Sequence, residues 1–209
     1  MQIVKEGRVF IIIPFILGLI LLIMMLWWGI ISVICGVLCI FVSLFCVYFF
    51  RDPDVEITKG DGIILSPCNG TVLEINENKN EKIIRVFLSV LDIHLQRSPV
   101  NGKVVSVEHV SGKFLKAMNS QAHIVNEQNI ITIENENGKY IVKQIAGMLA
   151  RRCVSWVKSG DLLCCGDKIG LIKFGSQVDL HIPKNASIKI RHGDKVVSAI
   201  TIVAKFPEN

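Results

Sequence analysis

In the stretch IKFGSQVDLHIP, Ile172 to Pro183, a Gly-Ser pair (Gly175, Ser176) sits between two runs that read as strands. Such a pair either makes a tight bend, because glycine tolerates positive φ and serine is a common turn former, or carries a reacting hydroxyl. A serine hydroxyl is a poor nucleophile at neutral pH and needs a base, usually a histidine oriented by a third group. Of the five histidines, His94 has the most suggestive surroundings, since Asp92, His94 and Gln96 alternate in FLSVLDIHLQRSPVNG and alternate residues of a strand share a face. That stripe is either the lining of a pocket or a solvent-facing strand edge. His109, His123, His181 and His192 occur singly and read as surface or satisfied core residues. GxSxG, HExxH and Gly-rich phosphate-loop patterns are absent, which removes support for ordinary hydrolase and nucleotide chemistry.

The elements that must position these residues fall into two parts. From Val9 to Phe50 the chain has no Asp, Glu, Lys or Arg, about twice the ~20 residues a helix needs to cross a bilayer. Two helices over residues 1–50 are expected, reversing at the WWG of Trp27–Gly29. Lys5 and Arg8 before the run and Arg51 after it place both ends on the cytosolic side of the cell membrane. After Phe50, RDPDVEITKGDG leads into short β-rich runs separated by turn signals, among them NENKNEK and NENGK as hairpin connections. The expectation for 51–209 is a mainly β domain, an antiparallel sandwich or open barrel, with GKFLKAMNSQAH as a helix or loop.

The net charge of +5 is modest, suits anionic lipid headgroups, and comes without a Lys/Arg block or basic-aromatic motif for nucleic acid. Seven cysteines form neither a CxxC pair nor a zinc-spaced cluster, so no metal site is expected. The Gly-Asp pairs at 160–161, 166–167 and 193–194 resemble the turns of a biotinyl or lipoyl carrier sandwich, but Lys173 lacks the flanking residues of an attachment site.

Several segments together, RDPD after the apolar run, SPCNGTV, FLSVLDIHLQRSPVNG, AGMLARRCVSWVKSGD, GDKIGLIKFGSQVDLHIP and GDKVVSAITIVA, resemble the short form of the phosphatidylserine decarboxylase proenzyme family from about residue 51 to 204. The resemblance implies that the Gly175-Ser176 bond breaks itself, leaving a β chain 1–175 and an α chain 176–209 whose first residue has become a covalent pyruvoyl group. That group would form a Schiff base with phosphatidylserine in the membrane and release CO2 and phosphatidylethanolamine. His94 corresponds to the family's proton-transfer histidine.

Two positions depart from the family pattern. Asn69 stands where the family has an Asp that orients the histidine, and an amide lacks the full negative charge that steadies an imidazolium, so slower processing is expected. Asp92 or Asp179 could supply the charge, or Asn69-Gly70 could deamidate. Gln177 replaces a common Arg. Arg97, Arg151 and Arg152 are candidates for the substrate phosphate or carboxylate, or else surface residues. A membrane-tethered lipoyl-like adaptor and a family member that folds without maturing are the alternative functions, and homo-oligomerisation stays open.

Overall fold

A computed structural model describes residues 2–115, 121–147, 152–173 and 176–207. Contacts divide the chain into two compact units, Met1–Asp54 and Val55–Asn209.

In the first unit, β1 (Gln2–Ile3) and a single 3-10 turn lead into α1 (Arg8–Ile23), and α2 (Met25–Phe49) is followed by β2 (Arg51–Asp52), which pairs back with β1. One helical turn over Met25–Trp28 and a break at Gly29, with φ 61° and ψ −150°, complete the reversal. Both helices are long and apolar enough to cross a bilayer, with mean hydropathy of 2.3 and 3.0. They pack as an antiparallel pair through small residues: a Cβ on Gly18 would lie 2.9 Å from the Gly36 carbonyl, and one on Gly36 the same distance from that of Gly18. Close backbone approach of this kind suits helices in lipid, where contact and hydrogen bonding replace the hydrophobic effect. Ser43 Oγ adds a bond to the Ile11 carbonyl at 2.8 Å.

The second unit runs β3 (Ile63–Leu65), β4 (Gly70–Glu77), β5 (Glu81–Leu88), β6 (Leu95–Arg97), β7 (Gly102–Val110), α3 (Ala122–Val125), β8 (Gln128–Asn135), β9 (Gly138–Ala146), β10 (Cys153–Ser155), β11 (Leu162–Leu163), β12 (Lys168–Ile172), β13 (Ser176–Pro183), β14 (Ser187–Ile188), β15 (Lys195–Val196) and β16 (Ile202–Lys205). Eight strands form one curled antiparallel sheet in the order β11-β7-β8-β9-β13-β5-β4-β15, with three-stranded sheets β10-β12-β6 and β14-β16-β3 beside it. The mainly β, open-barrel expectation is met. GKFLKAMNSQAH resolves at its two ends, as a bridge from Lys113 to Asn126 and the start of α3; its centre, 116–120, lies outside the described residues.

The core lies against the face of the large sheet that carries Val72, Val86, Val142 and Val178. Along β13, Val178, Leu180 and Ile182 are completely buried, each worth about 1.5–3 kcal/mol against exposure. The Gly-Asp pairs at 160–161, 166–167 and 193–194 turn out to be one turn used three times. Gly160, Gly166 and Gly193 have φ of 97°, 88° and 87°, a region that favours glycine. Each following aspartate accepts the backbone N–H three residues back, at 2.9 Å from Lys158, 2.7 Å from Cys164 and 2.8 Å from Arg191. The quasi-repeat is therefore local turn chemistry.

Candidate active site

Ser176 is the first residue of β13, a strand in the interior of the large sheet. Its backbone is the register partner of Leu88 on β5 and of Ala146 on β9, so the strand is held from both sides from its first position. Asn126, almost wholly buried, bonds through Nδ2 to the Ala146 carbonyl at 2.7 Å and to the Leu115 carbonyl at 2.9 Å, fastening the β7–β8 connection to this end of the sheet. Gly175, Phe174 and Arg151 lie outside the described residues.

His94 is fully buried immediately before β6. Its Nδ1–H donates to the Asp92 carbonyl at 2.9 Å; because a carbonyl can only accept, the neutral ring keeps its lone pair on Nε2, the tautomer of a general base. The His94 carbonyl in turn accepts the Ile172 N–H at 3.1 Å and Gln96 Nε2 at 2.7 Å. Ile172 ends β12, four residues ahead of Ser176 in the chain, a span of at most about 14 Å.

The expected stripe of Asp92, His94 and Gln96 on one strand face needs correction. The strand starts only at Leu95, and Asp92 turns back so that Oδ2 accepts the Ser89 N–H at 2.8 Å, closing the turn after β5. An aspartate three residues after a free N–H caps a turn more readily than it extends a strand. His94 and Gln96 are buried together, so the solvent-edge alternative is excluded.

Asn69 is half-buried in the SPCNG turn, and its Oδ1 accepts the Ser198 N–H at 3.3 Å. The turn is stitched further by Ser66 Oγ to the Cys68 carbonyl, Ser198 Oγ to the Pro67 carbonyl and the Arg97 N–H to the Pro67 carbonyl, at 2.7, 3.1 and 2.8 Å. Gly70 is required because a Cβ there would lie 2.2 Å from the Phe87 carbonyl oxygen. The Asp92 carbonyl holds the His94 ring at Nδ1, while the Asn69 side chain bonds Ser198. Burial raises the Cys68 thiol far above its usual range, and the nearby carboxylates of Asp92 and Asp179 add to the effect.

Asp179 is not an uncommitted charge. Arg85 Nε and Nη2 each reach it at 3.1 Å, Gln177 Nε2 donates to it at 2.7 Å, and Arg85 also pairs with Glu74. Arg85 and Asp179 are direct register partners on β5 and β13. Among the described residues no group of His, Cys, Asp and Glu is placed to hold a metal ion.

The family model described as phosphatidylserine decarboxylase matches residues 42–204. The chain is 37% identical to a phosphatidylserine decarboxylase proenzyme of Ehrlichia chaffeensis, across 96% of this chain and 89% of the relative. Proteins of the same name from Symbiobacterium thermophilum, 36% identical over 87% of this chain and 86% of the relative, and Solibacter usitatus, 40% identical over 79% and 81%, agree. The chain belongs to the phosphatidylserine decarboxylase family.

In this decarboxylase, the arginines expected from sequence separate. Arg97 is 9% exposed and donates through Nη1 to the Gly166 carbonyl at 3.0 Å, an anchor for the turn before β12. Arg152 is exposed, with its carbonyl accepting the Lys173 N–H at 3.2 Å. Sequence reasoning passed over two features. One is the Glu74–Arg85–Asp179 row, signalled by single charges inside the apolar runs KIIRVFL and VDLHI. The other is Gln144, a polar residue in the core-facing phase of KYIVKQIAG, where Tyr140, Val142 and Ala146 are all buried.

Proposed function

We propose that this decarboxylase converts phosphatidylserine to phosphatidylethanolamine and CO2 with a pyruvoyl group made from its own Ser176. The observation that carries the reading is the bond between the His94 carbonyl and Ile172, which ties a buried histidine of the base tautomer to the strand leading to the Gly-Ser pair. His94 Nε2 takes the Ser176 hydroxyl proton as the oxygen attacks the Gly175 carbonyl; the C–O bond forms, the C–N bond breaks, and the freed amine takes up the proton. Loss of the Ser176 Cα hydrogen then expels the Gly175 carboxylate, and water replaces the nitrogen, which leaves as ammonia. The products are chains 1–175 and 176–209.

The pyruvoyl group supplies the electron sink that side chains lack when CO2 departs from an amino acid headgroup. The protein's own part is to hold that position. The first residue of β13 is fixed by ladders on both sides, and His94 stands as the buried group able to exchange a proton. Arg152, with Arg151, offers guanidinium for the substrate phosphate or carboxylate.

Access from a bilayer is supported by Leu91, Phe114 and Ile124, which are 58%, 39% and 66% exposed. All three lie on segments adjoining the Ser176 end of the sheet: Leu91 follows β5, and Phe114 and Ile124 flank the connection that Asn126 fastens to Ala146. The apolar hairpin tethers the enzyme to the membrane, and basic Lys5, Arg8 and Arg51 at its ends favour the cytosolic side.

A member that folds without maturing is the second reading, favoured by Asn69 and its bond to Ser198. Intact mass of the full chain in detergent, beside Ser176→Ala, and CO2 release from phosphatidylserine vesicles separate the two. Cleavage at 175/176 with a ketone-bearing small chain and CO2 release supports the first reading. A single uncut chain that binds the vesicles and releases no CO2 supports the second.

A further inference from the structure

A row of side chains crosses the core-facing side of the large sheet. Val72, Val86 and Val178 are register neighbours on β4, β5 and β13, and the row continues through Gln144 on β9, Asn129 on β8 and His109 on β7. Where the valines stop, hydrogen bonds begin. His109 Nδ1 lies 2.8 Å from Asn129 Oδ1, Asn129 Nδ2 is 3.0 Å from Gln144 Oε1, and Gln144 Nε2 is 2.7 Å from Gln96 Oε1. Gln96 Nε2 then donates to the His94 carbonyl at 2.7 Å. Asn129, Gln144 and Gln96 are all at least nine-tenths buried, while His109 at the far end is exposed.

The direction of this chain is set by its last member. A carbonyl oxygen can only accept, so Gln96 must turn its NH2 to His94 and its oxygen to Gln144. Gln144 must then present its NH2 to Gln96 and its oxygen to Asn129, and Asn129 must present its oxygen to a protonated His109 Nδ1. Every donor points toward His94. Flipping any one amide would set oxygen against oxygen or NH2 against NH2 in a buried place, where an unmade hydrogen bond is most costly. The second Gln144 hydrogen reaches the Val154 carbonyl at 3.4 Å. The space for this amide exists because residue 170 is glycine: a Cβ there would lie 2.5 Å from Gln144 Nε2 and 2.3 Å from the Val154 carbonyl oxygen.

We propose that Gln96 and Gln144 are positioning residues for His94, acting through its main-chain carbonyl. This rests on the proton-transfer role given to His94 above. The imidazole is oriented by its bond to the Asp92 carbonyl, so ring direction follows the backbone of 92–94. That backbone is held at the 94 carbonyl by two donors, Ile172 and Gln96. Gln144 keeps the Gln96 amide from rotating, and His109 and Asn129 keep Gln144 from doing so. An apolar residue of equal size at 96 would fill the volume and take the Gln96 donor away from the carbonyl, while one at 144 would leave the Gln96 amide without the bond that keeps it from rotating.

The test uses the full chain in detergent micelles, with self-cleavage followed by intact mass and the matured fraction assayed on phosphatidylserine vesicles. Gln96→Met and Gln144→Met are each expected to slow cleavage about tenfold, with KM within about twofold of wild type. Because both act on one carbonyl, the double variant should be no more than about twofold slower than the slower single variant. Cleavage of both single variants at the wild-type rate overturns the inference, as does a double variant whose loss is the product of the two. Should Gln144→Met not fold, the exposed His109→Phe carries the test: slowed cleavage supports the chain and an unchanged rate overturns it. His94→Ala separates the two levels. If it cleaves normally, the role of His94 falls; if it stalls while the glutamine variants cleave normally, only the positioning inference falls.

Discussion

Arg85 and Asp179 face each other across β5 and β13, with two guanidinium nitrogens on the carboxylate at 3.1 Å each and the Asp179 side chain only 4% exposed. A carboxylate so matched stabilises the sheet and has little charge left to steady a neighbouring imidazolium. Asp179→Asn is expected to cost about 3 kcal/mol, the usual penalty for breaking a buried pair from one side, and to affect cleavage only through stability. Thermal melts and cleavage rates measured together test this. A variant that melts like wild type yet fails to cleave would return Asp179 to the catalytic group.

Asn69→Asp keeps the acceptor for the Ser198 N–H and adds a negative charge to the turn beside β6. Cleavage should speed up by at least about tenfold, since replacing a charged orienting group by its amide slows comparable Ser-His systems severely. A time course of intact mass after synthesis gives the answer, and equal rates for the two chains would mean that the Asp92 carbonyl suffices to hold the ring.

His181 sets a limit at low pH. Burial lowers its pKa below the usual 6.5, while Nδ1, 3.0 Å from Glu81, offsets only part of this. The folded state therefore binds the proton less readily than the unfolded chain. Stability is complete above about pH 6.5 and falls as pH drops toward the folded pKa, because protons then favour unfolding. Melting temperature against pH should show this decline, and His181→Gln should flatten it.

Much of this was legible in the chain itself, and the rest was hidden for identifiable reasons. The apolar run with its WWG break wrote the helical hairpin directly, since lipid imposes length and composition. The Gly-Asp pairs announced turns, because the aspartate bonds a residue three positions back and needs no distant partner. Asp92 misled for the same reason: its bond to Ser89 is local, and alternation alone counted it into a strand that starts three residues later. The amide chain was invisible, since Gln96 and Gln144 meet only when two sheets pack, and a glutamine in an apolar run carries no mark of what it bonds. Asn69 was read as a departure, and its partner, Ser198, was hidden because it is 129 residues away in sequence.

After the proposed cleavage the small chain should stay in place. It contributes β13, paired along Ser176–Pro183 with β5 and along Ser176–His181 with β9, and also β15 and β16, paired with β4 and β3. Size exclusion in mild detergent should give one species containing both chains, separating only in denaturant. Dissociation in buffer alone would contradict this arrangement.

The interior place of β13 also orders events in time. β13 leaves the ribosome after β5 and β9, and those strands can close around it only once it arrives. With the proposed cleavage at 175/176, the bond to be broken would reach its setting at the end of folding, so scission would act as a completion signal: a chain that misfolds would stay whole. On that proposal the uncut fraction in a cell would count unfinished molecules, and a destabilising substitution far from Ser176 would first be noticed as a shortage of the short chain.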